Sequence, residues 1–131
     1  MSCIFCKIID HEIPSSVIYE DESVIAFLDL SQVTKGHTLV VPKKHFVNIL
    51  ECDPDTLAHL IQVTQMLAKR IMERTHANGV NILNNTHEAA GQTVMHLHFH
   101  IIPRYDEKDA IQIEFHESEK QNLEELCALL K

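Results

Sequence analysis

Between Met95 and Arg104 the sequence reads Met-His-Leu-His-Phe-His-Ile-Ile-Pro-Arg, and its period is two. His96, His98 and His100 alternate with Leu97, Phe99 and Ile101. Successive side chains of an extended strand point to opposite faces, so three imidazoles share one face and three apolar groups the other. Same-face neighbours stand roughly 6–7 Å apart, close enough for all three rings to act on one small group. An exposed strand face is served equally well by Ser, Thr or Lys. Histidine is the side chain that titrates near neutral pH and binds metals, so the pattern points to a metal or to an anionic reacting centre.

The rest of the chain must hold such a strand. Its 131 residues fit a single domain, 1–131, and 45% apolar content is enough for a core. A net charge of −8 argues against a nucleic acid polymer as partner, though a mononucleotide phosphate needs only a few local donors. No apolar run is long enough for a membrane span, and Met1-Ser2-Cys3 lacks a basic-then-apolar signal pattern. The expected location is the cytoplasm, where the four cysteines are thiols or metal ligands rather than disulfides.

Cys3-Ile4-Phe5-Cys6 is half of a common zinc site. A redox role would require a preceding strand, which is missing, and two buried thiols are the plainer alternative. Val17–Glu20 and Val24–Asp29 form a hairpin around Asp21-Glu22-Ser23. Asp29 ends an apolar strand, where its carboxylate either caps a turn or accepts hydrogen bonds from a ribose diol. Thr38–Val41 is a strand closed by Pro42, and His37 before it receives no chemical role. Asp53 and Pro54 open a long helix. Leu57, Leu60, Ile61, Thr64, Leu67, Ala68 and Ile71 form its core stripe, with Val63, Met66 and Arg70 flanking; Asn78-Gly79 stops it. Residues 79–85 alternate as a strand, and 86–93 form a small-residue loop whose Gly91 allows backbone N–H groups to approach a phosphate. Ser118-x-x-Gln121 reads as a capping box before a packing helix with Leu123, Leu126, Cys127 and Leu130.

His96-Leu97-His98-Phe99-His100-Ile101-Ile102 resembles the histidine-triad (HIT) signature at every position. The resemblance extends from Cys3 to about Tyr105 and is closest to the Hint-like bacterial branch. It implies an α+β fold: an antiparallel sheet with one long helix and a C-terminal helix, core about 3–105 and tail 106–131, two protomers pairing into a larger sheet. A homodimer interface would use the long helix and the strand after it.

The resemblance also implies site residues. Asp29, Leu30, Asn85, Gly91, Gln92, Thr93, His98 and His100 match nucleotide-contacting positions, and Cys3, Cys6, His45 and His96 match the ligands of one structural zinc per chain. The middle histidine is the nucleophile of the family; His98 is also favoured geometrically, with a neighbour on each side. Its second ring nitrogen needs an acceptor, expected to be a backbone carbonyl, and His96 serves as zinc ligand or as part of the network, its ring neutral. The implied activity is hydrolysis of purine nucleoside phosphoramidates, or related conjugates of AMP or GMP, through a nucleotidyl-histidine. In the galactose-1-phosphate uridylyltransferase relatives the third histidine is glutamine; here it is His100, which favours hydrolysis over transfer. The Glu88–Val94 run is similar to that of dinucleoside polyphosphate hydrolases, so those substrates are a second expectation. A metal hydrolase with all three triad histidines on one zinc, and a nucleotide-binding protein with incidental turnover, are the rivals.

Overall fold

A computed structural model describes residues 3–131, so the reading of Met1 and Ser2 lies outside the described residues. Five antiparallel strands form one sheet: β1 (Val17–Glu20), β2 (Val24–Leu28), β3 (Thr38–Pro42), β4 (Gly79–Leu83) and β5 (Phe99–Arg104). Their spatial order is β1-β2-β3-β5-β4, so the triad strand is an interior one, flanked by β3 and the edge strand β4. No helix among the described residues is long and apolar enough to cross a membrane.

Each face of the sheet carries its own core. On one side α2 (Pro54–Thr75) lays Leu60, Val63, Leu67 and Ile71 on Val24, Ala26, Val40, Leu97, Phe99 and Ile101. On the other, α1 (Ile4–Ile9) packs Phe5 and Ile8 on Ile25, Phe27, Leu39 and Val41. The alternation of β2 and β3 therefore feeds two cores, and both strands are buried almost throughout. Leu60 and Leu67 are wholly buried; full burial of such a side chain contributes about 1.5–3 kcal/mol.

Asp53 caps α2 by accepting from the Thr56 N–H, and Pro54 occupies its first turn. Two parts of the stripe differ from expectation. Val63 lies in the core, whereas Ile61 is 42% exposed, because the buried arc is centred on Leu60, Thr64 and Leu67. The helix stops at Thr75, before Asn78, because His76 adopts the left-handed conformation that usually falls to glycine.

The triad strand is shorter than its alternation suggests. Regular pairing begins at Phe99, opposite Val40, and His96, Leu97 and His98 lie before it. Pro42 has no N–H to extend the ladder, so Leu97 instead donates to the Phe46 carbonyl at 2.7 Å. The alternation survives without the ladder: Leu97, Phe99 and Ile101 still join the α2 core, while the histidines face the α1 side.

The tail also departs from expectation. Its helix α3 (Leu123–Leu130) is capped by Asn122, which accepts from the Glu125 N–H; Ser118 and Gln121 form no capping box. None of its residues is buried, so within the chain it does not pack. Arg104 fastens the start of the tail, donating to Asp109, Asn81 and the Ile111 carbonyl.

Candidate active site and metal centre

The three triad rings turn to three different partners. His98 lies in a wall of aromatic edges, 5.1 Å from the Phe5 ring and 4.9 Å from His100. Its Nδ1 is 2.7 Å from the His96 carbonyl oxygen. A carbonyl only accepts, so Nδ1 carries the proton and Nε2 keeps its lone pair. The His98 carbonyl in turn accepts from the Asn84 side chain at 3.0 Å, across the point where β4 has ended. Asn84 thus steadies the backbone on which the ring is mounted, a role its sequence position, read as part of the strand 79–85, did not disclose. Burial lowers the pKa of His98, which keeps the ring neutral.

His100 is held by His37, Nδ1 to Nε2 at 2.9 Å. The Val33 N–H approaches His37 Nδ1 at 3.5 Å, and an amide can only donate, so His37 carries its proton on Nε2. That proton goes to His100 Nδ1, which leaves His100 with its own proton on Nε2. Asp29 Oδ2 stands 3.7 Å from His37 Nε2, and Asp29 Oδ1 accepts from the Ser31 N–H. Burial pushes His100 down to about 4 and lowers His37 as well, so the pair is uncharged near pH 7. His37, left without chemistry on sequence grounds, is therefore the orienting partner of the third triad histidine.

Asp29, Leu30, Thr93, His98 and His100 meet in one cleft of about 240 Å³, floored by apolar groups that include Phe5, Ile8 and Phe27. Leu30 is almost fully exposed, at 97%. The other three expected contact residues do not line this cleft. Gln92 is buried and turned inward: its side chain donates to the Val47 carbonyl and accepts from the His87 N–H, and its own N–H is taken by the His87 carbonyl. Asn85 reaches the Gly91 carbonyl at 3.4 Å, and Gly91 takes a left-handed turn at φ +95°. These residues shape the loop; Thr93 is the one that reaches the cleft.

His96 belongs to a different group. Its Nε2 bonds to the Pro42 carbonyl at 2.8 Å, so Nδ1 presents a lone pair to Cys3, Cys6 and His45. The distances are 3.4 Å from Cys3 Sγ to His96 Nδ1, 3.3 Å from Cys6 Sγ to His45 Nδ1, and 3.1 Å between the two ring nitrogens. In a tetrahedral zinc site the sulfur–nitrogen edges are roughly 3.6 Å and the nitrogen–nitrogen edge roughly 3.3 Å. Donor chemistry and spacing both fit zinc. Burial, then the Cys3 thiol beside it, pushes Cys6 up to about 11, the opposite of what a redox cysteine needs. The cysteine–histidine group borders a larger hollow of about 580 Å³, which shares only Ile4, Thr93 and Val94 with the cleft at His98. With His96, His98 and His100 turned apart in this way, one catalytic metal bound by all three does not fit the geometry.

Residues 10–107 match the HIT domain. The chain is 51% identical over 108 residues to the protein named hit of Bacillus subtilis, covering 82% of this chain and 74% of that one. It is 37% identical to the adenylylsulfatase HINT3 of Arabidopsis thaliana, over 83% of this chain and 55% of the plant protein. A crystal structure of a HIT family member from Bacillus subtilis superposes with a TM-score of 0.92 at 42% identity, covering 99% of this chain and 95% of that one. The histidine triad nucleotide-binding protein of Candida albicans gives 0.86 at 34% identity, covering 98% and 92%. A zinc-bound histidine triad family protein from Mycobacterium smegmatis gives 0.79 at 42% identity, covering 85% and 81%.

Proposed function

This chain belongs to the HIT family, and from that premise we propose that it is a nucleotide hydrolase acting at the α-phosphorus of purine nucleoside phosphoramidates or related AMP and GMP conjugates. The observation that carries the reading is His98: a neutral ring, its proton fixed on Nδ1, with a lone pair on Nε2 and a place in the wall of the cleft. A neutral imidazole is a competent nucleophile near pH 7. Nε2 attacks phosphorus as the bond to the leaving group breaks, and the His96 carbonyl stabilises the ring as it becomes cationic. His100, its Nε2–H freed by His37, donates to the phosphoryl oxygens where charge builds. In this reading Asp29 Oδ2 takes the ribose hydroxyls and Leu30 covers the sugar or base. Water then displaces His98 and releases the monophosphate.

Cys3, Cys6, His45 and His96 would hold one zinc, whose chemistry there is that of a closed cross-link rather than of a catalyst. It would tie α1 to the segment that carries His98. The zinc-bound relative supports this assignment. We also read the protein as a homodimer meeting along α2 and the edge strand β4, where Ile61 and Ile82 are exposed.

A second reading changes only the leaving group. The plant relative is named for cleaving an adenylyl sulfate, so an acid anhydride, including a dinucleoside polyphosphate, is the alternative to an amine. Release of AMP from an adenosine phosphoramidate, an adenylyl sulfate and a diadenosine polyphosphate, each compared with His98→Ala, tests the assignment. Activity no better than that of the variant on all three would leave only binding.

A further inference from the structure

The cleft at His98 adjoins a second space. The hollow of about 580 Å³ beside Cys3 and Cys6 is walled by Ile4, Val47, Val94 and Met95, and Ile4, Thr93 and Val94 border both spaces. These walls come from three separate parts of the chain: the first turn of α1, the segment after β3, and the segment that leads into the triad. One side chain fastens two of them together. The Gln92 amide donates to the Val47 carbonyl at 2.7 Å and to the Val94 carbonyl at 3.1 Å, so those walls are fixed relative to each other. Ile4 and Met95 remain 50% and 41% exposed, which leaves apolar surface open to a ligand. A mostly apolar concavity on a pre-formed frame is the usual character of a small-molecule site.

The position of the hollow suits the part of a substrate that departs. Asp29 and Leu30, which take the nucleoside in the reading above, line the cleft and not the hollow. In an in-line displacement the leaving group stands opposite the nucleophile, away from the nucleoside. With the nucleoside in the cleft and phosphorus at His98, the space beyond Thr93 and Val94 is the hollow. Its lining also discriminates among leaving groups. Among the described residues no lysine or arginine lines it, and Cys3, Cys6 and His45 belong to the metal group described above. A sulfate or a nucleoside polyphosphate would set its negative charge against Ile4, Val47 and Met95 with no cation to meet it, at a cost in desolvation. An amine with an aliphatic or aromatic body avoids that cost and buries the body.

We propose that this hollow is the leaving-group subsite, that Ile4, Val47 and Met95 select its occupant, and that the substrates are nucleoside phosphoramidates of amines with an apolar body. The proposal rests on the hydrolase reading and deepens it, deciding for the amine against the anhydride. The His98 Nε2–phosphorus bond forms as the phosphorus–nitrogen bond breaks. The electron pair of the broken bond stays on the amine nitrogen, which takes a proton from water.

The test is kcat/KM of the full-length, zinc-supplemented protein on three adenosine phosphoramidates whose amines have similar basicity: phenylethylamine, methoxyethylamine, and taurine with its sulfonate. The phenylethylamine conjugate should lead each of the others by at least about tenfold, the order of discrimination that an apolar pocket gives. Met95→Lys should shrink its lead over the taurine conjugate at least about tenfold, and Val47→Ser/Met95→Ser should bring its lead over the methoxyethylamine conjugate to within about threefold. Misfolding would lower all three rates alike and leave the ratios unmoved, and the series on the parent protein decides without any variant. Ratios near one in the parent, a lead for the taurine conjugate, or ratios that neither variant moves in folded protein would overturn the subsite while leaving the hydrolase. Hydrolysis of all three conjugates no faster than by His98→Ala would overturn both.

Discussion

The ring of His37 meets the ring of His100 at 2.9 Å, Nε2 to Nδ1, across 63 positions of sequence. The contact decides which nitrogen of His100 faces the cleft with a proton. Without His37 neither the tautomer nor the orientation of the His100 ring is fixed, and the proton aimed at the phosphoryl oxygens is lost with them.

His37→Ala should therefore lower kcat by on the order of 10-fold to 100-fold, with KM changing much less. His37→Gln, whose amide N–H can still donate to His100 Nδ1, should recover much of the loss. Steady-state kinetics on the three proteins checks this. Equal loss in both variants would mean that His37 acts only through packing.

The same pair sets a pH dependence of stability. Burial holds His100 at about 4, and His37 below its ordinary value, whereas both titrate near 6.5 once unfolded. Between those values the unfolded chain binds more protons, so stability falls as the pH falls. The contribution is fully present above about pH 6.5 and fades toward pH 4. Melting followed from pH 8 to pH 5 should show a decline that His100→Gln flattens. Melting temperatures that rise on acidification would contradict it.

His87 offers a stabilising substitution. It sits at φ 72°, ψ 158°, a backbone region that belongs almost entirely to glycine, and its side chain is exposed. Relief of strain worth about 1–3 kcal/mol outweighs the extra chain entropy of glycine, about 0.5–1 kcal/mol, so His87→Gly should gain about 1 kcal/mol. Urea unfolding measures it; a loss of stability would show that the loop needs more from His87 than its backbone.

For the metal, elemental analysis of zinc-supplemented protein should give one atom per chain. Cys6→Ala or His45→Ala should remove it and lower the melting temperature, and His98→Ala should leave it in place. Less than about a tenth of an atom per chain in the parent protein would remove the zinc assignment.

Where a local pattern alone decides the structure, the sequence could be read directly. Asp53-Pro54 starts α2 because a cap and a proline act on their own turn. The two faces of the triad segment could be read because alternation outlasts the loss of the ladder before Phe99. What could not be read depends on contacts between distant residues. α1 has six residues, three of them isoleucine, and forms against the sheet with a cysteine as its cap. His37 looks like a turn residue until β3 and β5 bring it to His100. Gln92 lies in the loop expected to hold phosphate, yet its side-chain amide is spent on the His87 N–H within that loop and on the Val47 carbonyl beyond it. The α3 leucines looked like core and found none within the chain.

The central claim is that His98 becomes bonded to phosphorus through Nε2. Mixing enzyme and an adenosine phosphoramidate, quenching within one turnover and digesting for mass spectrometry tests it directly. The account predicts one adenylyl group on the peptide that contains His98, its appearance in a burst before steady release of AMP, and neither in His98→Ala. Wild-type turnover by His98→Ala, or an adenylyl group found on any other residue, would contradict it.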